Sequence, residues 1–273
     1  MSDQIEKAAI FKALHERKQA FIIGNAWDAG SARLLELAGY EAIATTSAGF
    51  AFAQNKQDNH VGRDGILGNA SAIVEATGLP VSADLEDGFG TSEDACAKTI
   101  NQAAKAGLVG GSIEDSTYDK NKPLYDLGHA IARIEAAVSA ARALPFAFTL
   151  TARAENFLVG RPDISDVITR LQAYQEAGAD VLYAPGLSTE QDIRSLCACV
   201  DRPVNVLALP CIPALTFTAL ADMGVQRISV GSTFARQAYG DLLAKSKSVL
   251  ETGTFAAFTD AMPYAELSEK FEP

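Results

Sequence analysis

Acidic side chains in this sequence recur at one kind of place, the ends of short apolar runs. Asp84, Glu86 and Asp87 close one such run, Glu114 and Asp115 close LVGGSIED, and Arg153 and Glu155 follow PFAFTLTA. Gathered at one mouth, these carboxylates would repel one another unless a cation neutralised them. Every ligand on offer is a hard oxygen, which suits Mg²⁺, with Mn²⁺ as its substitute. Mg²⁺ takes one or two carboxylates directly and reaches others through water. Taken singly, each acid also reads as a helix cap or an ion-pair partner; the clustering of all of them at strand ends favours the metal. A divalent ion there would act as a Lewis acid on an oxygen of a bound substrate.

Arg153 is the sole arginine at a predicted strand end, placed to hold a substrate carboxylate or phosphonate with two N–H groups, or to pair with Glu155 or Glu114. The backbone amides of Ser47, Ala48 and Gly49 form a candidate anion nest, with Gly49 allowing close approach. Tyr183 and Asn205 end two further runs and join the candidate substrate pocket. Asn25, Trp27, Asp28, Gly231 and Ser232 complete the set of strand ends, and GSTFAR looks like a barrel phosphate site without the matching glycine loop before it. His15, His60 and His129 read as peripheral, so no Ser-His-Asp or Cys-His triad is expected. Cys197 and Cys199 lie two apart on a predicted helix, where they diverge by about 200° and read as buried filler.

What must position these groups is a repeating unit. Eight runs rich in Val, Ile, Phe or Ala, at 20–25, 41–47, 79–86, 108–115, 145–152, 180–185, 203–209 and 227–232, alternate with stretches of helical period such as 92–107, 163–179 and 213–224. In LELAGYEAI, AAKAGLVGG, YQEAGADVL and ALADMGVQRI a glycine ends the helix just before the next strand, as a left-handed C′ residue does. Eight units in 273 residues predict a single (β/α)₈ (TIM) barrel over 1–273, with an N-terminal helix and a C-terminal helical arm beyond residue 251. The alternative, a doubly wound open sheet, calls for a G-x-G-x-x-G turn that no strand-helix junction carries. Residues 47–65 and 114–126 are too long for tight turns and read as lids.

The balance of 23 basic and 34 acidic residues, a formal charge of −11, argues against nucleic acid and anionic membranes as partners. A small anionic substrate remains compatible, because one metal and one arginine reverse the potential inside a pocket. The N-terminus lacks the pattern of a secretion signal and no run approaches a membrane span, so a reducing cytoplasm is the expected setting.

VSADLEDGFG, SIED, LTARAENF and GNAWDAGSARLLELAGYEAIATTSAG, in that family's order across roughly residues 20–250, together resemble the isocitrate lyase/phosphoenolpyruvate mutase superfamily. The resemblance implies a barrel whose eighth helix is exchanged between subunits of a homotetramer, or a dimer. It also implies Mg²⁺ held directly by Asp84 and through water by Asp58, Glu86 and Glu114, with substrate on Arg153 and the amides of Ser47, Ala48 and Gly49. Two departures are visible. The family's lyases carry a K-[KR]-C-G-H motif after the fourth strand, where this chain reads EDSTYDKNKP; its mutases and hydrolases carry E-D-K, where Ser116 replaces the lysine. What survives is the machinery for an enolate, with Arg153, Glu114 and Asp58 as the candidate catalytic set. The expected activity is Mg²⁺-dependent cleavage of a C–C bond in a small 2-oxo or 2-hydroxy acid, of the oxaloacetate decarboxylase kind. Cleavage of a 2-hydroxy acid would need a base from among Glu155, Tyr118 and Lys120. The alternatives are P–C chemistry on phosphonopyruvate or phosphoenolpyruvate, and a non-catalytic barrel that binds a 2-oxo acid.

Overall fold

Each of the eight apolar runs forms a strand, and all eight pair in parallel and in chain order until the last closes on the first. The computed structural model describes residues 2–272. Its strands are β1 (Phe21–Ala26), β2 (Ile43–Thr45), β3 (Val81–Asp84), β4 (Gly110–Glu114), β5 (Thr149–Arg153), β6 (Val181–Tyr183), β7 (Val204–Leu207) and β8 (Arg227–Ser229). The helices before and between them are α1 (Ser2–Glu16), α2 (Ala29–Leu37), α3 (Ser47–Ala53), α4 (Arg63–Glu75), α5 (Glu93–Lys105), α6 (Leu127–Arg142), α7 (Ile164–Glu176), α8 (Glu190–Cys199) and α9 (Phe217–Asp222). After β8 come α10 (Thr233–Thr252), a 3₁₀ turn at Ala256–Phe258 and α11 (Tyr264–Glu269). The (β/α)₈ barrel read from the sequence is therefore the observed fold.

Local chemistry explains the helices. In α5 the Ser92 hydroxyl caps the Ala95 N–H, Glu93 and Asp94 lie at the positive end of the helix dipole and Lys105 at the negative end. Its buried residues Cys96, Thr99, Ile100, Ala103 and Ala104 follow the i, i+3, i+4 stripe that a barrel helix presents to the sheet. Each large apolar side chain so buried contributes roughly 1.5–3 kcal/mol. The four glycines predicted to end helices, Gly39, Gly107, Gly178 and Gly224, all have φ between 90° and 101°.

The N-terminal end of the barrel is plugged by α1, whose Ala8, Phe11 and Leu14 form a buried cluster with Phe21, Ile23, Ala42 and Val109. Gly110 makes room for this plug: a Cβ there would lie 2.8 Å from the Phe11 ring and 2.9 Å from the Thr149 carbonyl oxygen. Above the plug the lumen departs from the Val/Ile/Leu layers usual in such barrels. Ser82, Ser112, Asn205, Arg227 and Ser229 line it together with Ile23 and Ala44, leaving a cavity of about 140 Å³.

Some expectations fail in detail. The 47–65 connection is not one long loop: its first seven residues form α3, because Thr46 caps the helix through the Gly49 N–H, and only residues 54–62 remain between helices. His15 is buried beside Arg227, not peripheral. Cys197 is half-buried and Cys199 is exposed, so the pair is not buried filler. The helix expected over 213–224 is confined to Phe217–Asp222. The C-terminal arm folds back on its own barrel, where Arg33 Nε donates to the Lys270 carbonyl at 3.1 Å. No helix among the described residues is long and apolar enough to cross a membrane.

Candidate active site

The register of the closed sheet brings the polar strand ends into one row. Glu114 pairs with Arg153, Arg153 with Tyr183, Tyr183 with Asn205, and Asn205 with Arg227. Because strands in a closed barrel are staggered, this row starts at the C-terminal end of β4 and finishes at the first residue of β8, descending from mouth to lumen. Asp84 ends β3 beside it, and its N–H bonds to the Thr45 hydroxyl at 3.0 Å.

Arg153 is the hub. Its Nη1 lies 2.9 Å from Asp84 Oδ1, its Nη2 3.0 Å from Glu114 Oε2 and 2.8 Å from Glu155 Oε1, and its guanidinium carbon 5.2 Å from the centre of the Tyr183 ring. The surrounding carboxylates hold the guanidinium firmly charged although it is buried. On the other side of Asp84, the Ser47 hydroxyl sits 2.9 Å from Asp84 Oδ2 and 3.0 Å from Asp58 Oδ1. One hydroxyl has one proton, so it donates to only one of the two at a time.

Electrostatically the mouth is undercompensated. Burial, then the charge of Asp84, raises the Asp58 pKa. Burial raises Glu114 well above the usual carboxylate range despite Arg153, and it also raises Glu155. Glu86 is pushed up to about 8 by burial and by Asp84, Asp58 and Asp87. Glu86 also has a positive φ of 51° and a buried Oε1 with no hydrogen-bond partner. Strained backbone and an orphaned acceptor mark a group held ready for something else.

That orphan oxygen, and five carboxylates against the single Arg153, fit a divalent cation. Among the described residues no three His, Cys, Asp or Glu side chains converge as a ready-made cage; the candidate donors are all hard oxygens, which suit Mg²⁺ held directly by few carboxylates and by others through water. Asp84, bonded to both Arg153 and Ser47, is the best placed of them to meet such an ion directly.

Not every predicted acid belongs here. Asp115 accepts from the Tyr174 hydroxyl at 2.6 Å, from Arg170 at 3.1 Å and from the Glu155 N–H at 2.8 Å. Asp87 accepts from Tyr125 and the Phe89 N–H and lies 3.9 Å from Arg133. Both hold the loops behind the mouth in place, and Asp28 caps α2. Within the proposed nest, Ser47 and Ala48 line the cavity, whereas the Gly49 N–H is taken by Thr46 Oγ1 at 3.2 Å. Behind GSTFAR, the amides of Val230 and Gly231 are both taken by Asn25 Oδ1. Asn205 is buried and bonded on both sides, to Arg227 and Ser229.

Above the lumen an outer vestibule of about 590 Å³ is walled by Tyr118, Asp119, Lys120 and Pro123 on one side and Leu158 and Val159 on the other. The Tyr118 hydroxyl donates to Glu114 Oε1 at 3.0 Å and accepts from the Asp87 N–H at 3.1 Å. Arg227 also lines the cavity, but as the first residue of its strand it lies outside the pattern of polar strand ends.

A closed barrel with a carboxylate ring and one arginine at its C-terminal mouth has the architecture of a barrel enzyme's active site. The chain belongs to the isocitrate lyase/phosphoenolpyruvate mutase superfamily: the phosphoenolpyruvate phosphomutase family model matches residues 11–250. It is 49% identical to a Burkholderia cenocepacia protein assigned as a lyase/mutase, whose crystal structure superposes with a TM-score of 0.97 over 100% of this chain and 98% of that one. It is 29% identical over 225 residues to 2-methylisocitrate lyase of Escherichia coli, covering 79% of this chain and 75% of that protein. At 24% identity it shares its fold with phosphonopyruvate hydrolase, solved with oxalate and Mg²⁺, at a TM-score of 0.86 over 97% and 94% of the two chains.

Proposed function

We propose that the protein is a Mg²⁺-dependent lyase that cleaves a C–C bond of a small 2-oxo or 2-hydroxy acid by way of an enolate. The observation that carries this reading is the set Asp58, Asp84, Glu86, Glu114 and Glu155 around one guanidinium, at the mouth of a lumen only large enough for a small acid. Mg²⁺ (or Mn²⁺), held by Asp84 directly and by Asp58, Glu86 and Glu114 through water, would supply positive charge at the 2-oxo oxygen as the bond breaks. Arg153 and the first amides of α3, at Ser47 and Ala48, hold the adjacent carboxylate. To do so Arg153 exchanges the Asp84 oxygen on its Nη1 for one of the substrate's.

Loss of CO₂ from a 3-carboxy-2-oxo acid leaves the enolate directly and asks no base of the protein. Support for this simplest reaction comes from the loop after β4: it carries neither the cysteine of the family's lyases nor the lysine of its mutases, and the Tyr118 hydroxyl is bonded to Glu114 instead. Oxalate, bound with Mg²⁺ by the hydrolase relative, is a planar dianion with the shape of pyruvate enolate. The exposed Tyr239, Leu242, Leu243 and Leu250 of α10, a helix with only Ala235 buried, support a homo-oligomer built through that helix.

The test is product release from a panel of 2-oxo and 2-hydroxy acids, oxaloacetate first, with Mg²⁺ and with chelator. Metal-dependent release of pyruvate or glyoxylate, lost in a folded Asp84→Ala protein, is the expected result. Turnover of phosphonopyruvate in its place would reassign the reaction to the P–C bond. Binding of 2-oxo acids without any turnover would make the protein a sensor.

A further inference from the structure

Arg227 is a buried cation without a counter-ion. Among the described residues it makes no ion pair. Burial lowers its pKa only to about 10, so it is charged at neutral pH. Its partners are neutral: Nε donates to Asn205 Oδ1 at 2.9 Å, Nη2 to the Thr151 hydroxyl at 3.0 Å, and Nη1 lies 3.3 Å from His15 Nε2. His15 is fixed as an acceptor by its other nitrogen. Nδ1 lies 2.8 Å from the Phe11 carbonyl oxygen, which can only accept, so the proton is on Nδ1 and the Nε2 lone pair faces the guanidinium. Three of the five guanidinium N–H groups are thus spent on protein acceptors, and two are left over. A lone charge in a protein interior is costly unless a counter-charge reaches it.

The cavity that Arg227 lines has no negative charge at that depth. The carboxylates on its wall, Asp58 and Asp84, belong to the mouth, where Ser47 and Arg153 hold them. Deeper, the lining is Ser82, Ser112, Asn205 and Ser229 with Ile23 and Ala44. The Ser82 and Ser112 hydroxyls make no hydrogen bond to any described residue, so their protons are free to turn inward. Thr151, which Arg227 grips, precedes Arg153 by two residues on β5, about 7 Å along the strand. Two guanidinium groups therefore lie one above the other, and only the upper one is neutralised. The cavity, about 140 Å³, is several times what one water needs. We propose that the lumen beneath Arg153 contains an anion subsite at Arg227, which takes one halide-sized ion or one carboxylate group. A single negative charge balances the single unpaired cation. Its source is either a free inorganic anion resident in the barrel or the second carboxylate of a short dicarboxylic acid whose first lies on Arg153. The free anion stands independently of the lyase reading, whereas the dicarboxylic acid rests on it.

Melting of the full-length protein in sodium chloride, sodium bromide and sodium gluconate at one ionic strength tests the subsite, because gluconate is too large for the lumen. A halide at about ten times its Kd is expected to raise the melting temperature by about 3–5 °C over gluconate. A crystal soaked in bromide is expected to show anomalous density beside Arg227. Asn205→Asp changes the shape very little and puts a carboxylate oxygen where Arg227 Nε now meets an amide oxygen. It should abolish both the shift and the density; if it does not fold, the density and the shift in the unaltered protein decide. The same crystals read the source. Bromide displaced by succinate but not by acetate assigns the subsite to a substrate carboxylate, and bromide that survives both assigns it to a free anion. No density beside Arg227, equal melting in chloride and gluconate, or a shift that Asn205→Asp retains would overturn the proposal. None of these results touches the reaction at the mouth, which is tested by product release.

Discussion

Replacing Arg153 by Met tests the electrostatics of the site most directly. The side chain is 12% exposed and pairs with Asp84, Glu114 and Glu155, whose own side chains are 21%, 8% and 5% exposed. Removing one partner of a buried ion pair costs about 3–5 kcal/mol, because the remaining charges are left uncompensated. Here three carboxylates are stranded, yet they have an escape: burial already raises Glu114 and Glu155, so the variant takes up protons where the parent protein need not. Each extra proton bound by the native variant returns about 1.4 kcal/mol per pH unit as the pH falls. Urea unfolding in chelator should therefore show a loss of about 3–5 kcal/mol at pH 8 that shrinks by more than half at pH 6. Added Mg²⁺ should recover part of the loss at pH 8. A variant as stable as the parent at pH 8, or a loss that does not change with pH, would refute the account of Arg153 as the counter-charge to Asp84, Glu114 and Glu155.

Three further outcomes are expected. The Glu86 carboxyl, at about 8 in the fold against 4.5 ordinarily, contributes stability that is complete below pH 4.5 and lost as pH rises through 8; in chelator, Glu86→Gln should flatten the decline of melting temperature across that window, and an unchanged slope would contradict the assignment. Gly49→Ala puts a Cβ 2.7 Å from Thr46 Cγ2 and 2.9 Å from Trp27 Cβ, so it should destabilise by about 1–3 kcal/mol in urea. Asp115→Asn should cost about 1–3 kcal/mol by weakening the bonds from Tyr174, Arg170 and the Glu155 N–H, Arg170 keeping its pair with Asp166, while Mg²⁺ affinity, read by calorimetry, holds; a collapse of metal binding would return Asp115 to the metal site.

The periodicity of the chain determined the barrel. Alternating apolar runs and helical stretches, punctuated by Gly39, Gly107, Gly178 and Gly224, specify eight β/α units, because each punctuation is a local backbone preference that needs no tertiary context. Asp84, Glu114 and Arg153 were legible for a related reason: in this architecture the end of a strand is the mouth. The bonds of Asp87 and Asp115 were not legible, since a strand-end acid and the acid beside it point opposite ways and only the packing of Arg133, Arg170 and Tyr174 shows which way. Nor could the sequence separate the amides of Ser47 and Ala48 from that of Gly49, whose N–H Thr46 takes when α3 forms. Arg227 lay beyond any reading of strand ends. Its place beside Asn205 depends on the stagger at which eight strands close, a property of the whole sheet that no single segment encodes.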